Sequence, residues 1–360
     1  MPTPLELLRP ELADFKPYTP DRGTYRVRLD ANEAPPLFPE SVRERLGRAF
    51  SSIAFERYPD ATERELREAV ATRLGVAPDE VLLGVGSDEL IAILLTALSY
   101  AKKASDPPTV LTTTPSFVMY RMTARLRGQR VVEVPLDARW ELTEEPMLRA
   151  LEMAPPHVVF IATPNNPTGT VASPERLERL IQAAPRSLFV VDEAYVDYAD
   201  RHLLDLYRRY DNVVILRTLS KVGFAALRVG WLVGRRELVA ELDKVRLPYN
   251  LGTPSQVLAT LVLGELWPEV STVIEGVKRE RERVGAALTG RGIEVTPSQA
   301  NFLWIKTPRP AGEVFEGLRS RGVLVRSFHE KGGRLANQLR VTLGTPAEND
   351  ELLRSLDELR

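Results

Sequence analysis

The chain contains no cysteine, so disulfides, thiolate nucleophiles and thiolate-bound metals are excluded. Histidine is scarce. His157, His202 and His329 stand far apart, which argues against a metal centre built on imidazoles. Neither sign of charge dominates: lysine plus arginine total 48, aspartate plus glutamate 49. That balance leaves no basic footprint for nucleic acid and no polybasic patch for a membrane surface. Long apolar runs are missing too. The longest, LIAILLTALSYA from Leu90, falls short of the roughly 20 residues a membrane helix needs. The opening MPTPLELLRPELADF lacks a basic-then-apolar signal pattern, and the expectation is a soluble, cytoplasmic protein.

What is present suffices for a large core: 44% of the 360 residues are hydrophobic, a length that suggests about two domains of roughly 150 residues each. TVLTTT (109–114), RVVEV (130–134), HVVFIAT (157–163), SLFVVDEAY (187–195), NVVILRT (212–218) and RVGWLVG (228–234) are short and rich in β-branched residues, and read as buried strands. Amphipathic segments lie between several of them. SPERLERLIQAA has Ser173 placed to cap a helix and Pro174 in its first turn. TERELREAVATRLG pairs Thr62 with Glu65 in a capping-box pattern and stops at Gly75, and Thr345 with Glu348 repeats the box. Such alternation predicts an α/β fold, with a mostly parallel central sheet covered by helices. Past residue 255 a long charged helix (270–289) leads into short strands, which predicts a smaller C-terminal α+β domain. The expected divisions are an arm over 1–39, a large domain over 40–255 and a small one over 256–360.

Ligands in such sheets bind beyond the carboxyl ends of the strands. Four polar segments fall there. GVGSDEL (84–90) reads either as a turn with Ser87 as N-cap or as an anion cradle of glycines at a helix start. TPNNPTG (163–169) reads as a plain loop, or as one whose Asn165 and Asn166 amides reach a cleft. In VVDEAY, Asp192 follows a run of apolar residues and needs a partner, either a structural arginine or a proton on a ring nitrogen. Tyr195 follows three residues on. In TLSK, Lys221 is either a surface lysine or an amine for carbonyl chemistry. Lysine, buried aspartate, asparagine, tyrosine and an anion-binding helix end together suggest pyridoxal 5'-phosphate.

The order of these segments resembles the fold-type I, class II aminotransferases that use pyridoxal phosphate, and among them the histidinol-phosphate aminotransferases. The likeness runs through LDANEAP (29–35), RYPD (57–60), GVGSDEL, PSFVMY (115–120), PNNPTG, DEAY, TLSK with Arg228, ANFLWI (300–305) and LRVTLGTPAEN (339–349). The resemblance implies an internal aldimine and proton shuttle at Lys221. It implies that Asp192 pairs with the pyridinium nitrogen, that Tyr195 and Asn166 contact the ring oxygen, and that Phe117 stacks on the ring. Ser87, Asp88, Ser220 and Arg228 would hold the phosphate, although the loop from Lys221 to Arg228 is one residue shorter than the commoner family pattern. Tyr58 would reach the phosphate of a neighbouring subunit, so a homodimer with shared sites is implied. Arg340, helped by Arg326 and Tyr18, would grip the substrate anion, with Asn32 nearby. Histidinol phosphate and glutamate or 2-oxoglutarate are the implied substrates, in histidine biosynthesis, and no metal is implied. The alternatives are an aromatic or broad-range aminotransferase, a threonine-phosphate decarboxylase, or a non-catalytic regulatory domain that binds the same cofactor. The last usually carries a DNA-binding helix-turn-helix ahead of the fold, and the short, proline-rich head here leaves no room for one.

Overall fold

The computed structural model describes residues 3–17, 19, 21–100 and 107–359. Its strands are β1 (Val27–Leu29), β2 (Val81–Val85), β3 (Thr109–Thr114), β4 (Arg130–Pro135), β5 (Val158–Ala162), β6 (Leu188–Asp192), β7 (Val213–Thr218), β8 (Val229–Val233), β9 (Glu294–Thr296), β10 (Phe302–Lys306), β11 (Val323–Ser327) and β12 (Gln338–Thr342). The helices are α1 (Glu40–Ser51), α2 (Arg64–Leu74), α3 (Gly86–Ala97), α4 (Val118–Leu126), α5 (Glu144–Met153), α6 (Pro174–Ala183), α7 (Asp205–Arg209), α8 (Arg236–Asp243), α9 (Thr253–Leu263), α10 (Trp267–Thr289), α11 (Ala311–Ser320) and α12 (Pro346–Asp357).

Seven strands form one sheet in the order β2-β8-β7-β6-β5-β3-β4. Within it, β3, β4, β5, β6 and β7 pair in parallel, and β8 runs antiparallel to both β7 and β2. The uninterrupted apolar strands are explained by burial on both faces. Their side chains alternate between two cores. Val159, Ile161, Phe189, Val191, Val213 and Ile215 pack on one face, with α2, α6 and α10. Val158, Phe160, Val190, Val214 and Leu216 pack on the other, with α3, α4 and α8. A second sheet, β1-β11-β12-β10-β9, is antiparallel except where β1 runs parallel to β11. Val27–Leu29 thus lie beside the C-terminal strands.

Most of the anticipated helix ends form. Ser173 accepts the Arg176 N–H, Gly75 closes α2 at φ +63°, and Thr345 and Glu348 make a reciprocal capping box at α12. The box expected from Thr62 and Glu65 does not form. Asp60 accepts the Thr62 N–H (2.9 Å), the Thr62 hydroxyl (2.7 Å) and the Arg64 N–H (3.0 Å), so Thr62 is consumed as a donor. The charged carboxylate is the stronger acceptor, and those same bonds hold Asp60 below the ordinary aspartate pKa. Ser87 is not an N-cap either. α3 begins at Gly86, with Val85 as its N-cap, which leaves Ser87 inside the first turn.

Candidate active site

Because β2 runs in the same direction as β5, β6 and β7, their carboxyl ends share one edge of the sheet. The antiparallel β8 begins at that edge, so Arg228, the residue before it, arrives there too. The four polar segments and Arg228 therefore converge on one pocket, which encloses about 510 Å³ including its open mouth. Ser87, Asp88, Phe117, Asn166, Asp192, Tyr195, Ser220, Lys221 and Arg228 all line it.

One end of the pocket is built to receive an anion. The Arg228 Nη1 donates to Ser220 Oγ at 3.3 Å, and its Nη2 lies 3.5 Å from Asp88 Oδ2. Arg228 itself sits at φ +54°. A Cβ on Gly86 would come within 2.8 Å of the Arg228 Nη2, and one on Gly230 within 2.7 Å of the Ser87 nitrogen. Only glycine lets these backbones and the guanidinium crowd together. Glu89 Oε2 accepts the Val85 N–H at 2.6 Å, so one free amide of the helix start is already occupied by a carboxylate from its own first turn.

Asp192 lies at the end of β6 and is 4% exposed. Tyr120 Oη donates to its Oδ2 at 2.5 Å, and the Ala194 N–H donates to its Oδ1 at 3.0 Å. Burial raises its pKa to about 6, against the pull of the Tyr120 hydrogen bond. Among the described residues, no arginine is hydrogen-bonded or ion-paired to it. Arg217 pairs instead with the neighbouring carboxylate, its Nη2 2.6 Å from Glu193 Oε2.

Lys221 ends the short helical turn after β7, and its Nζ stands 5.6 Å from the centre of the Tyr195 ring. Tyr198 Oη donates to the Lys221 carbonyl at 2.7 Å and pins its backbone. The Tyr195 hydroxyl accepts from Asn32 Nδ2 at 2.9 Å and from Asn166 Nδ2 at 3.4 Å. With its lone pairs so engaged, its own proton is free to donate into the pocket. Asn32 reaches this position at φ +57°, with its backbone N–H donating to Thr342 Oγ1 at 3.0 Å.

Arg340, on β12, donates from Nη1 to Asn166 Oδ1 (2.7 Å) and from Nη2 to the Asp30 carbonyl (2.5 Å), which fixes the fork beside the pocket. Arg326 is directly opposite it on β11 but is exposed, and it lines a separate cavity with Asp21, Arg22 and His329. Tyr58 is 83% exposed and stacks on Tyr249 with ring centres 4.9 Å apart, away from the pocket. Tyr18 lies outside the described residues.

The residue missed from sequence is Tyr120. Its signal was spacing: it stands in the first turn of α4, three residues after Phe117, the helix's N-cap. The rings meet edge to face at 5.5 Å, and both line the pocket. An amine, a buried carboxylate, a phenol donor, an aromatic wall and an anion cradle fit an aldehyde-bearing pyridine with a phosphate tail. Among the described residues there is no cluster of acidic or imidazole side chains arranged for a metal.

The family profile described as aminotransferase class I and II matches residues 26–356. Histidinol-phosphate aminotransferase 1 of Carboxydothermus hydrogenoformans is 40% identical over 350 residues, covering 96% of this chain and 97% of that one. Histidinol-phosphate aminotransferase of Aquifex aeolicus is 38% identical over 349 residues, covering 96% of each. Among solved structures, histidinol-phosphate aminotransferase of Sinorhizobium meliloti in complex with pyridoxal-5'-phosphate superposes with a TM-score of 0.84 at 24% identity, over 94% of this chain and 92% of that one. L-threonine-O-3-phosphate decarboxylase of Porphyromonas gingivalis gives 0.78 at 20% identity, over 92% and 99%.

Proposed function

The chain belongs to the class I and II aminotransferase family, and from that premise we propose that it exchanges an amino group between histidinol phosphate and 2-oxoglutarate, with pyridoxal 5'-phosphate as cofactor. The observation that carries this reading is the convergence of Lys221, Asp192 and the Arg228 cradle on one pocket, with Arg340 bonded to Asn166 at its side. Near-full-length identity to curated histidinol-phosphate aminotransferases supports the choice of substrate.

When bound, the cofactor supplies an electrophilic aldehyde and a ring that accepts an electron pair. Ser87, Ser220, Arg228 and the Asp88 backbone N–H in the first turn of α3 would hold its phosphate, and Phe117 would form one wall for the ring. Asp192, kept anionic, would hold the proton on the ring nitrogen, and Tyr195 would donate a hydrogen bond to the ring oxygen. Lys221 Nζ would take the proton from the substrate carbon that bears nitrogen and pass one to the cofactor's aldehyde carbon in the same half-reaction, with both transfers reversed in the second half. Arg340 orients the substrate through its carboxylate or phosphate, since a guanidinium fork matches either anion.

A single-turnover panel tests the substrate. Histidinol phosphate and glutamate should each discharge the cofactor's lysine-bound colour, while phenylalanine and threonine phosphate do so far more slowly. Release of carbon dioxide from threonine phosphate as the fastest reaction would replace this reading with a decarboxylase. In the same panel Arg340→Lys should raise the half-saturating concentration of both good substrates. A charge-assisted bond is worth about 1.5–3 kcal/mol, hence roughly 10- to 150-fold, and cofactor colour should not change. A KM unmoved by Arg340→Lys would take that side chain out of the substrate site.

The reading includes a homodimer and a cytoplasmic location. Tyr58 and Tyr249 stack on each other and are both exposed, a pair of aromatic side chains that suits a covered surface. Among the described residues, no single helix is long and apolar enough to cross a membrane. Sedimentation at micromolar concentration should give twice the chain mass. A monomer that retained full activity would dissociate Tyr58 from the site.

A further inference from the structure

Two carboxylates stand side by side at the end of β6, and the fold treats them differently. Glu193 is paired with a cation, Arg217. Asp192 is given a neutral donor, Tyr120, from α4. A guanidinium on Asp192 would neutralise it and compete with any cationic ligand. A phenol stabilises the anion and leaves its negative charge available. Nor is the phenol placed there by chance packing. Its ring is 0% exposed and lies flat on Phe160 of β5, with centres 4.5 Å apart and planes within 10°. Phe117 abuts its edge. The hydroxyl therefore has one direction in which to point.

We propose that Tyr120 is a positioning residue of this site, whose hydroxyl holds Asp192 ionised and aimed before the cofactor's ring nitrogen arrives. The inference rests on the reading that Asp192 meets that nitrogen. The charged and titratable groups facing Asp192 are Tyr120 from α4, Asp88 from α3 and Lys221 after β7; Tyr195 and Asp88 also face Tyr120. Asp88 opposes ionisation of Asp192, Lys221 and Tyr120 favour it, and burial opposes it most. Burial, then the charge on Asp192, also drives the Tyr120 hydroxyl well above its ordinary pKa, so it remains a donor throughout the working range.

The sign follows. Removing the donor leaves only the Ala194 N–H and Lys221 to oppose burial, so the Asp192 midpoint moves upward from about 6. The loss then falls on the acid side only. The test is cofactor affinity of the apoprotein across pH 5.5 to 8.5, for wild type and Tyr120→Phe, with a carbon-13 carboxyl titration of Asp192 in the same apoproteins. Changes in the cofactor's own ionisation cancel in the comparison. Tyr120→Phe keeps the stacked ring. It should shift the midpoint up by about one unit, weaken binding roughly fivefold near pH 6, and converge on wild type near pH 8.5. An unmoved carboxyl midpoint, or an equal loss of affinity at every pH, would overturn the proposal and leave Tyr120 a packing residue. If the phenylalanine variant misfolds, Phe160→Leu, which loosens the stacked ring, should shift the same midpoint in the same direction, and no shift there has the same adverse meaning. Wild type that binds no cofactor at any pH would instead remove the parent reading.

Discussion

Lys221→Ala protein should lose about four orders of magnitude in amino transfer while still taking up cofactor. Proton transfer by a positioned group is commonly worth 10²–10⁴, and loss of the covalent anchor adds to that. The proposed phosphate cradle of Ser87, Ser220 and Arg228 is untouched, and the pinned carbonyl of residue 221 retains its bond from Tyr198. Small exogenous amines should restore part of the rate, because the missing part is a base and not a fold. Borohydride reduction of wild type followed by peptide mapping should place the adduct on Lys221. An adduct on another lysine, or a variant within tenfold of wild type, refutes the assignment.

Asp192→Asn should cost about 10³-fold in turnover and make the apoprotein more stable at neutral pH. The first effect follows from the loss of the charge proposed to keep the ring nitrogen protonated. The second follows from linkage. Asp192 has a folded-state pKa near 6, against 3.8 for the ordinary side chain. A carboxyl group raised on folding binds more protons in the folded state, so its contribution to stability falls as pH rises through that interval. Two units correspond to about 3 kcal/mol at most. Denaturant unfolding should show the asparagine variant ahead above pH 7 and level with wild type below pH 4. A variant less stable at pH 7 than at pH 4, relative to wild type, would mean that Asp192 is not buried at a cost. Function is then supported by a residue that the empty fold would be better without.

How far the sequence reached is visible in particular residues. The strands β5 to β8 were legible because both of their faces are buried, which leaves unbroken β-branched runs. The opposite direction of β8 was not, because its apolar pattern is the same whichever way it runs. Ser173 and the Thr345–Glu348 box were legible because a cap is satisfied within a few residues. Thr62 misled because an equally local but charged competitor, Asp60, lies two residues upstream. Arg326 and Arg340 look alike on their strands. Their Cα atoms are opposed across β11 and β12, yet one fork reaches Asn166 and the other faces a different cavity.

The sequence alone determined which chemical groups stand at the strand ends and in what order: an amine, a carboxylate, amides, a phenol and a glycine-flanked helix start. These are local facts, set by residue type and strand periodicity. The tertiary structure alone decided that Asp192 would meet a phenol 72 positions away and that Glu193 would take the arginine. It also decided which of two opposed arginines would approach the pocket. Such pairings depend on how strands and helices are stacked, and the energy of a buried charge depends on every group packed around it.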